Sequence, residues 1–299
     1  MVVPAGMISR NNASAMLLMA TGIAVLVSMD AVVKALVTDG IHAVQLLALR
    51  SIIITAALYL VYRMRGNVRE LKPGRWRWQV VRGIIGFIAP CAFFSALVFL
   101  PQADATVMFF SAPLLITLCS VLFLGERFGL HRWLAVFLGF VGVGIALDPQ
   151  GGYGWQGYAL AGIGSVAYAA LFLIGRYLSR TETTASLVMA YNVGVGVFGF
   201  LLLPGFYVTM TPEQWLQLLV LATLALIGHF CITAAFARAE ASLLSPVEYT
   251  ALFWAIFYDW LLWQHAPDQQ TLVGGIVVIL AGLYFVYRER NQGKSAPTC

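Results

Sequence analysis

The chain has 299 residues, 61% of them hydrophobic and 10% charged, with a formal net charge of +5 and a mean hydropathy of +0.85. Soluble domains carry about 25% charged residues, so this composition excludes a soluble globule. It also removes the nucleic-acid reading of a basic pI, because topology accounts for the basic residues.

Chemistry that needs clustered side chains is not indicated. The four cysteines form no disulfide framework: Cys91, Cys119 and Cys231 lie in apolar segments and Cys299 ends a polar tail. His42, His131, His229 and His265 lack ligand spacing, so no metal or other cofactor is expected. No GxxxxGK motif marks an ATP motor. No G-x-S-x-G or HExxH supports an intramembrane enzyme, and no helix carries the continuous polar stripe of a channel. The N-terminus lacks the cleavage site of a removable signal peptide.

A spanning helix needs about 20 mostly apolar residues. Ten such runs are predicted. In the first half they cover 14–37, 43–62, 79–100, 103–124 and 132–147, the last short for a span. In the second half they cover 155–178, 184–207, 212–236, 242–263 and 271–287. Pro101-Gln102 makes a tight turn between the third and fourth runs. Charge tests the count. Seven basic residues from Arg63 to Arg82 surround the junction between the second and third runs. Arg10, Arg127, Arg132, Arg176, Arg180, Arg238, Arg288, Arg290 and Lys294 follow the same alternation. With ten spans and both termini inside, all sixteen fall on the cytoplasmic side, as the positive-inside rule requires. This places the chain in a cytoplasmic (inner) membrane, multi-pass, with the lipid bilayer as its environment. Five spans per half make two oppositely oriented units, 1–150 and 151–299, an inverted repeat. FLGERFG near the end of the fourth run and LLWQHAPD near the end of the ninth hint at duplication. Glycines in each following run, among them Gly142 and Gly274, permit close helix approach.

Lys34 and Arg50, the remaining two of eighteen Lys and Arg, lie within spans together with Asp30. A charge at bilayer depth costs about 2.5–3.5 kcal/mol on insertion scales. Asp30 and Lys34 are four residues apart on one helix, so mutual neutralisation is the expected pairing. Lys34 also lies near enough to a helix end to snorkel. Arg50 has no carboxylate at helical spacing and must face the interior, pair across helices or await a ligand. The three charges are read as bordering a polar cavity for a small charged or zwitterionic solute. Glu248, just after Pro246, is either a cavity acid or a partner of Arg238 or Arg176. His229 is a packing histidine or a cavity residue. Asp259 lies in the outer third of the ninth run. Tyr168, Tyr249, Trp254 and Tyr258 are packing residues or walls for an apolar side chain. Trp254 and Tyr258, four apart beyond Glu248, suit a ligand with an ammonium group and an apolar side chain. Glu126 with Arg127 is a solvated helix end or a gating contact at the inner mouth. Trp76 and Trp78, flanked by Arg75 and Arg77, read as interface anchors.

Ala112-Pro113 leading to Leu124-Gly125-Glu126, with SLLSPVEYTALFWAIFYDWLL from Ser242 to Leu262, resembles the drug/metabolite transporter superfamily, EamA type. The resemblance covers essentially the whole chain and is greatest to the YddG-like amino-acid exporters. Gln264-His265 stands where the family pattern often has Gly-Glu. MDAVVKAL with Arg50 resembles other branches too, including uptake carriers for larger metabolites. The resemblance implies an all-α bundle of ten transmembrane helices in two inverted five-helix repeats around a central pathway. It implies a carrier, not an enzyme, exporting amino acids, aromatic and other apolar ones included, by alternating access. A monomer satisfies that description. Lys34 and Arg50 would then attract the substrate carboxylate and Glu248 its ammonium group. Uptake or exchange of a larger metabolite is the rival reading.

Overall fold

A computed structural model describes residues 5–124, 130–147, 154–236, 238–239 and 241–293. Its regular elements among these residues are helices. In chain order they are α1 (Ala5–Thr38), α2 (Ala43–Met64), α3 (Trp76–Ala96), α4 (Gln102–Phe109), α5 (Ser111–Leu124) and α6 (Leu130–Ala146). They continue with α7 (Trp155–Leu178), α8 (Thr184–Phe206), α9 (Pro212–Phe236), α10 (Ala241–Glu248), α11 (Thr250–Trp263) and α12 (Gln269–Gly293). A single 3-10 turn, Val68–Leu71, lies between α2 and α3. Lipid offers no hydrogen bonds, so apolar runs satisfy their backbone internally as helices. Seven helical segments are long and apolar enough to cross a membrane, counting α4 with most of α5 as one.

Two expected spans are broken. The fourth divides at Phe110 into α4 and α5, and the ninth at Tyr249 into α10 and α11. Proline explains the first break. Pro113 has no N–H to give the Phe109 carbonyl, and it sits in the first turn of α5, where that donor would be orphaned anyway. Pro246 lies inside α10, three residues before the second break. The breaks meet in space: the Phe110 and Tyr249 rings stand edge to face with centroids 5.3 Å apart.

Packing pairs helices between the halves of the chain. α1 lies on α9, α3 on α7 and α8, α2 on α8, and α6 on α12. Glycine permits the closest of these crossings. A Cβ on Gly142 would sit 2.9 Å from the Gly274 carbonyl oxygen, and one on Gly83 would sit 2.9 Å from the Gly194 Cα. Both distances are below any real contact, so a larger residue would push the helices apart.

The predicted outer end of the bundle is tied by polar contacts around the start of α4. Lys34 of α1 forms an ion pair with Asp259 of α11, Nζ to Oδ1 2.5 Å. The other Asp259 oxygen accepts from the Ala103 N–H at 2.8 Å, satisfying one orphan donor of the α4 N-terminus. The Thr271 hydroxyl donates to Asp104 at 2.6 Å, and Gln102 Nε2 donates to the Val27 carbonyl at 2.9 Å. The expected Asp30–Lys34 pair is therefore corrected: Lys34 neutralises Asp259. At about 100° per residue, positions four apart point about 40° apart, enough for α1 to turn Lys34 towards α11 and Asp30 elsewhere. Lys34 is 6% exposed, so it does not snorkel to an interface; its Nζ stands 4.3 Å from the Trp263 ring centroid.

Candidate functional site

A cavity of about 300 Å³ lies among α1, α2, α3, α4, α5, α7, α8, α9, α10 and α11. That is at the lower end of the usual range for small-molecule sites. Its polar wall contains Asp30, Arg50, Thr106, Tyr168, Tyr191, His229 and Glu248; Phe93, Phe94, Phe109 and Phe110 supply much of the rest. Residues from both helix breaks take part, Phe109 to Pro113 on one side and Glu248 and Ala251 on the other. Irregular backbone at membrane depth is tolerated where protein buries it or it lines a cavity.

Arg50 is the strongest feature. It sits two turns into α2 and is 4% exposed. Its Nη1 approaches the Met29 sulfur at 3.7 Å, a weak acceptor. Its guanidinium carbon stands 5.6 Å from the centre of the Phe94 ring. Its Nε has no hydrogen-bond partner among the described residues. Tyr191 and Asp30 are its electrostatic neighbours. Asp30 faces the cavity and makes no ion pair with a described residue. Glu248 ends α10 at the second break, with Tyr168 and Tyr249 near its carboxylate. It too lines the cavity and is in no ion pair with a described residue, so the pairing with Arg238 or Arg176 is not what the structure shows. His229 and Tyr168 also line the cavity.

Four of the residues singled out in the sequence stand outside its walls. Lys34 is held in the outer ion pair. Tyr249 packs on Phe110. Trp254 stacks edge to face with Phe253 and Phe257. The Tyr258 hydroxyl is 2.6 Å from that of Ser28, tying α11 to α1. Glu126 lies outside the described residues. Tyr191 was legible only as one aromatic among many within the spans; its place beside Arg50 needed α2 and α8 to pack. The Asp104–Thr271 contact spans 167 residues and has no local signal.

Among the described residues the cavity thus offers a buried cation with an unpartnered Nε, two carboxylates outside any ion pair, and aromatic walls. Such a set can hold a small solute that brings charge of both signs and an apolar part.

The family model for the EamA-like transporter family matches residues 13–147 and again 155–288. The chain belongs to the EamA-like transporter family. Among curated relatives of this EamA protein, the pseudopaline exporter CntI of Pseudomonas aeruginosa is 28% identical over 84% of this chain and 89% of its own. The S-adenosylmethionine uptake transporter of Rickettsia bellii is 24% identical over 78% of this chain and 79% of its own. The riboflavin transporter of Vibrio cholerae is 23% identical over 81% and 82%. A solved crystal structure shares the fold, with a TM-score of 0.65 at 20% identity over 94% of this chain and 99% of its own. The chain is therefore a multi-pass membrane transporter of the drug/metabolite superfamily, and its relatives carry small metabolites.

Proposed function

We propose that this EamA transporter is a carrier that exports amino acids, aromatic and other apolar ones included, from the cytoplasm by alternating access. One observation carries the reading: among the described residues, Arg50 is buried in the cavity wall with an unpartnered Nε, while Glu248 and Asp30 face the same cavity without ion pairs. A substrate carboxylate would take the Arg50 fork through charge-assisted hydrogen bonds. Its ammonium group would approach Glu248, and its side chain would rest on the phenylalanine wall. Tyr168 and His229 complete the polar lining. Lys34, Tyr249, Trp254 and Tyr258 would support the site through packing and closure of the outer end.

The working architecture is two inverted five-helix repeats, 1–150 and 151–299, in an inner membrane with both termini cytoplasmic. Two observations support it. The family model matches once in each half. Counting the broken helices as one span each, the pairing of first with eighth and third with sixth spans is unchanged when the halves are exchanged. Rocking of one half against the other would move the site between the two sides.

Uptake or exchange of a larger metabolite is the second reading, and the similarity to the S-adenosylmethionine uptake transporter of Rickettsia bellii favours it. The cavity volume favours the smaller solute. Counterflow in proteoliposomes with a panel of amino acids, S-adenosylmethionine and riboflavin separates the two. Aromatic amino acids should drive saturable, trans-stimulated flux. Flux with the larger compounds alone would replace the first reading with the second.

A further inference from the structure

A second cleft, of about 330 Å³, lies between the start of α3 and the middle of α8, towards the predicted inner end of the bundle. Leu71, Pro73, Trp76, Val80, Val193 and Phe198 are among its apolar walls. It opens outwards from the bundle: Trp76 is 63% and Val80 45% exposed. Gln79 also lines it, is 5% exposed, and has no hydrogen-bond partner for either amide atom among the described residues. A buried amide without partners is costly, and a ligand in the cleft would satisfy it.

The rim is cationic. Lys72 lies in sequence between the wall residues Leu71 and Pro73. The Arg77 guanidinium stands 5.6 Å from the centre of the Trp76 ring, itself a wall. Neither cation is in an ion pair with a described residue. The Glu182 carboxylate nearby is occupied by the Gly74 and Arg75 N–H groups and the Ser186 hydroxyl. Arg75 itself is engaged with the Tyr177 hydroxyl at 2.8 Å. Glu70 is the one acid among the seven basic residues from Arg63 to Arg82.

We propose that this cleft is a specific site for an anionic phospholipid of the inner leaflet. One acyl chain fills the apolar cleft between α3 and α8. Gln79 Nε2 donates to an ester carbonyl of the lipid, and Lys72 and Arg77 hold the phosphate. The depths agree. Trp76 belongs at headgroup level, and Gln79 lies about one helical turn deeper, where the ester groups begin. Polybasic segments at the cytoplasmic surface attract anionic lipid; here the buried amide and the cleft add a defined seat. The assignment is independent of what the central cavity carries.

Native mass spectrometry of the purified full chain in detergent tests it. The titrants are dioleoyl phosphatidylglycerol, dioleoyl phosphatidylcholine, a diether phosphatidylglycerol and inorganic phosphate. Phosphatidylglycerol should bind about tenfold more tightly than phosphatidylcholine, and the double variant Lys72→Gln/Arg77→Gln should lose that preference. Gln79→Leu should weaken the diester lipid about fivefold and leave the diether lipid unchanged. Because Gln79→Leu removes an unsatisfied buried amide, it should fold. Equal binding of the two headgroups, a preference that survives in the double variant, or equal weakening of diester and diether lipid by Gln79→Leu would each overturn the proposal. So would inorganic phosphate competing with the lipid at the same affinity, because the seat would then be an ion site.

Discussion

Lys34 Nζ lies 2.5 Å from Asp259 Oδ1, joining α1 to α11 across 225 residues of sequence. Both side chains are almost wholly buried, at 8% and 1% exposure. Asp259 is also the acceptor for the Ala103 N–H at the start of α4. Three helices therefore depend on one carboxylate. Breaking a buried pair by removing one partner costs about 3–5 kcal/mol, because the other charge is left uncompensated. Lys34→Met should show a loss of that order in thermal unfolding in detergent. Asp259→Asn keeps an acceptor for Ala103 but strands the lysine, and should lose a similar amount. The double variant should recover much of either loss. Additive losses would mean that the two charges do not neutralise each other.

Arg50 tests the carboxylate site. Arg50→Lys keeps the charge but removes the planar fork. Binding of amino acids with free carboxylates should weaken about ten- to a hundredfold, the loss of one charge-assisted hydrogen bond of about 1.5–3 kcal/mol. Analogues with an amidated carboxylate should be spared. Substrate binding and thermal stability are to be measured on the same preparations. If free and amidated substrates keep their parental ratio, Arg50 is structural and the carboxylate binds elsewhere.

Gln264 closes α11 in the left-handed region, at φ 53°. Its neighbour's N–H, that of His265, donates to the Asp259 carbonyl at 3.1 Å. An L-residue with a Cβ is strained there by about 1–2 kcal/mol, whereas glycine is not. Gln264→Gly should raise the unfolding temperature by an amount equivalent to about 1 kcal/mol, with transport unchanged. A lower unfolding temperature would show that the Gln264 side chain contributes more than the strain it causes.

Glu182 makes the loop between α7 and α8 sensitive to acid. Burial opposes its ionisation, but the Gly74 and Arg75 N–H groups, the Ser186 hydroxyl and the Arg75 charge outweigh it and hold its carboxyl below the ordinary value. A depressed folded pKa means that the ionised loop is the more stable one. Its contribution is fully present above the ordinary value of about 4.3 and is lost as pH falls through the folded value. Hydrogen exchange at the Gly74 and Arg75 amides should be slow at pH 7 and faster below pH 4, beyond the intrinsic change with pH. Glu182→Gln should exchange faster at pH 7 and show less of this acid step. An identical acid step in the variant would assign it to another group.

Topology is tested by labelling. Tags within 148–154 and 207–211 should be reached from outside intact cells, and tags beside Arg69 and Lys294 should not. If the first two report opposite sides, the ten-span count fails.

What the sequence determined by itself was the membrane class and the course of most spans. Hydropathy is local, and a run of twenty apolar residues in lipid has little choice but a helix. The run expected over 184–207 and α8 at Thr184–Phe206 differ by one residue. It also marked Asp30, Arg50 and Glu248, since polar groups in apolar spans must share an interior, and all three line the cavity. Packing decided what is not local. Whether Lys34 meets Asp30 or Asp259 depends on how α1 is rotated against α9 and α11. The same rotation draws Tyr258 to Ser28. The prolines pointed to disturbed helices, but only the tertiary structure brought Phe110 and Tyr249 into contact and opened the cavity beside them. Such choices rest on contacts between residues more than a hundred positions apart, which no window of sequence contains.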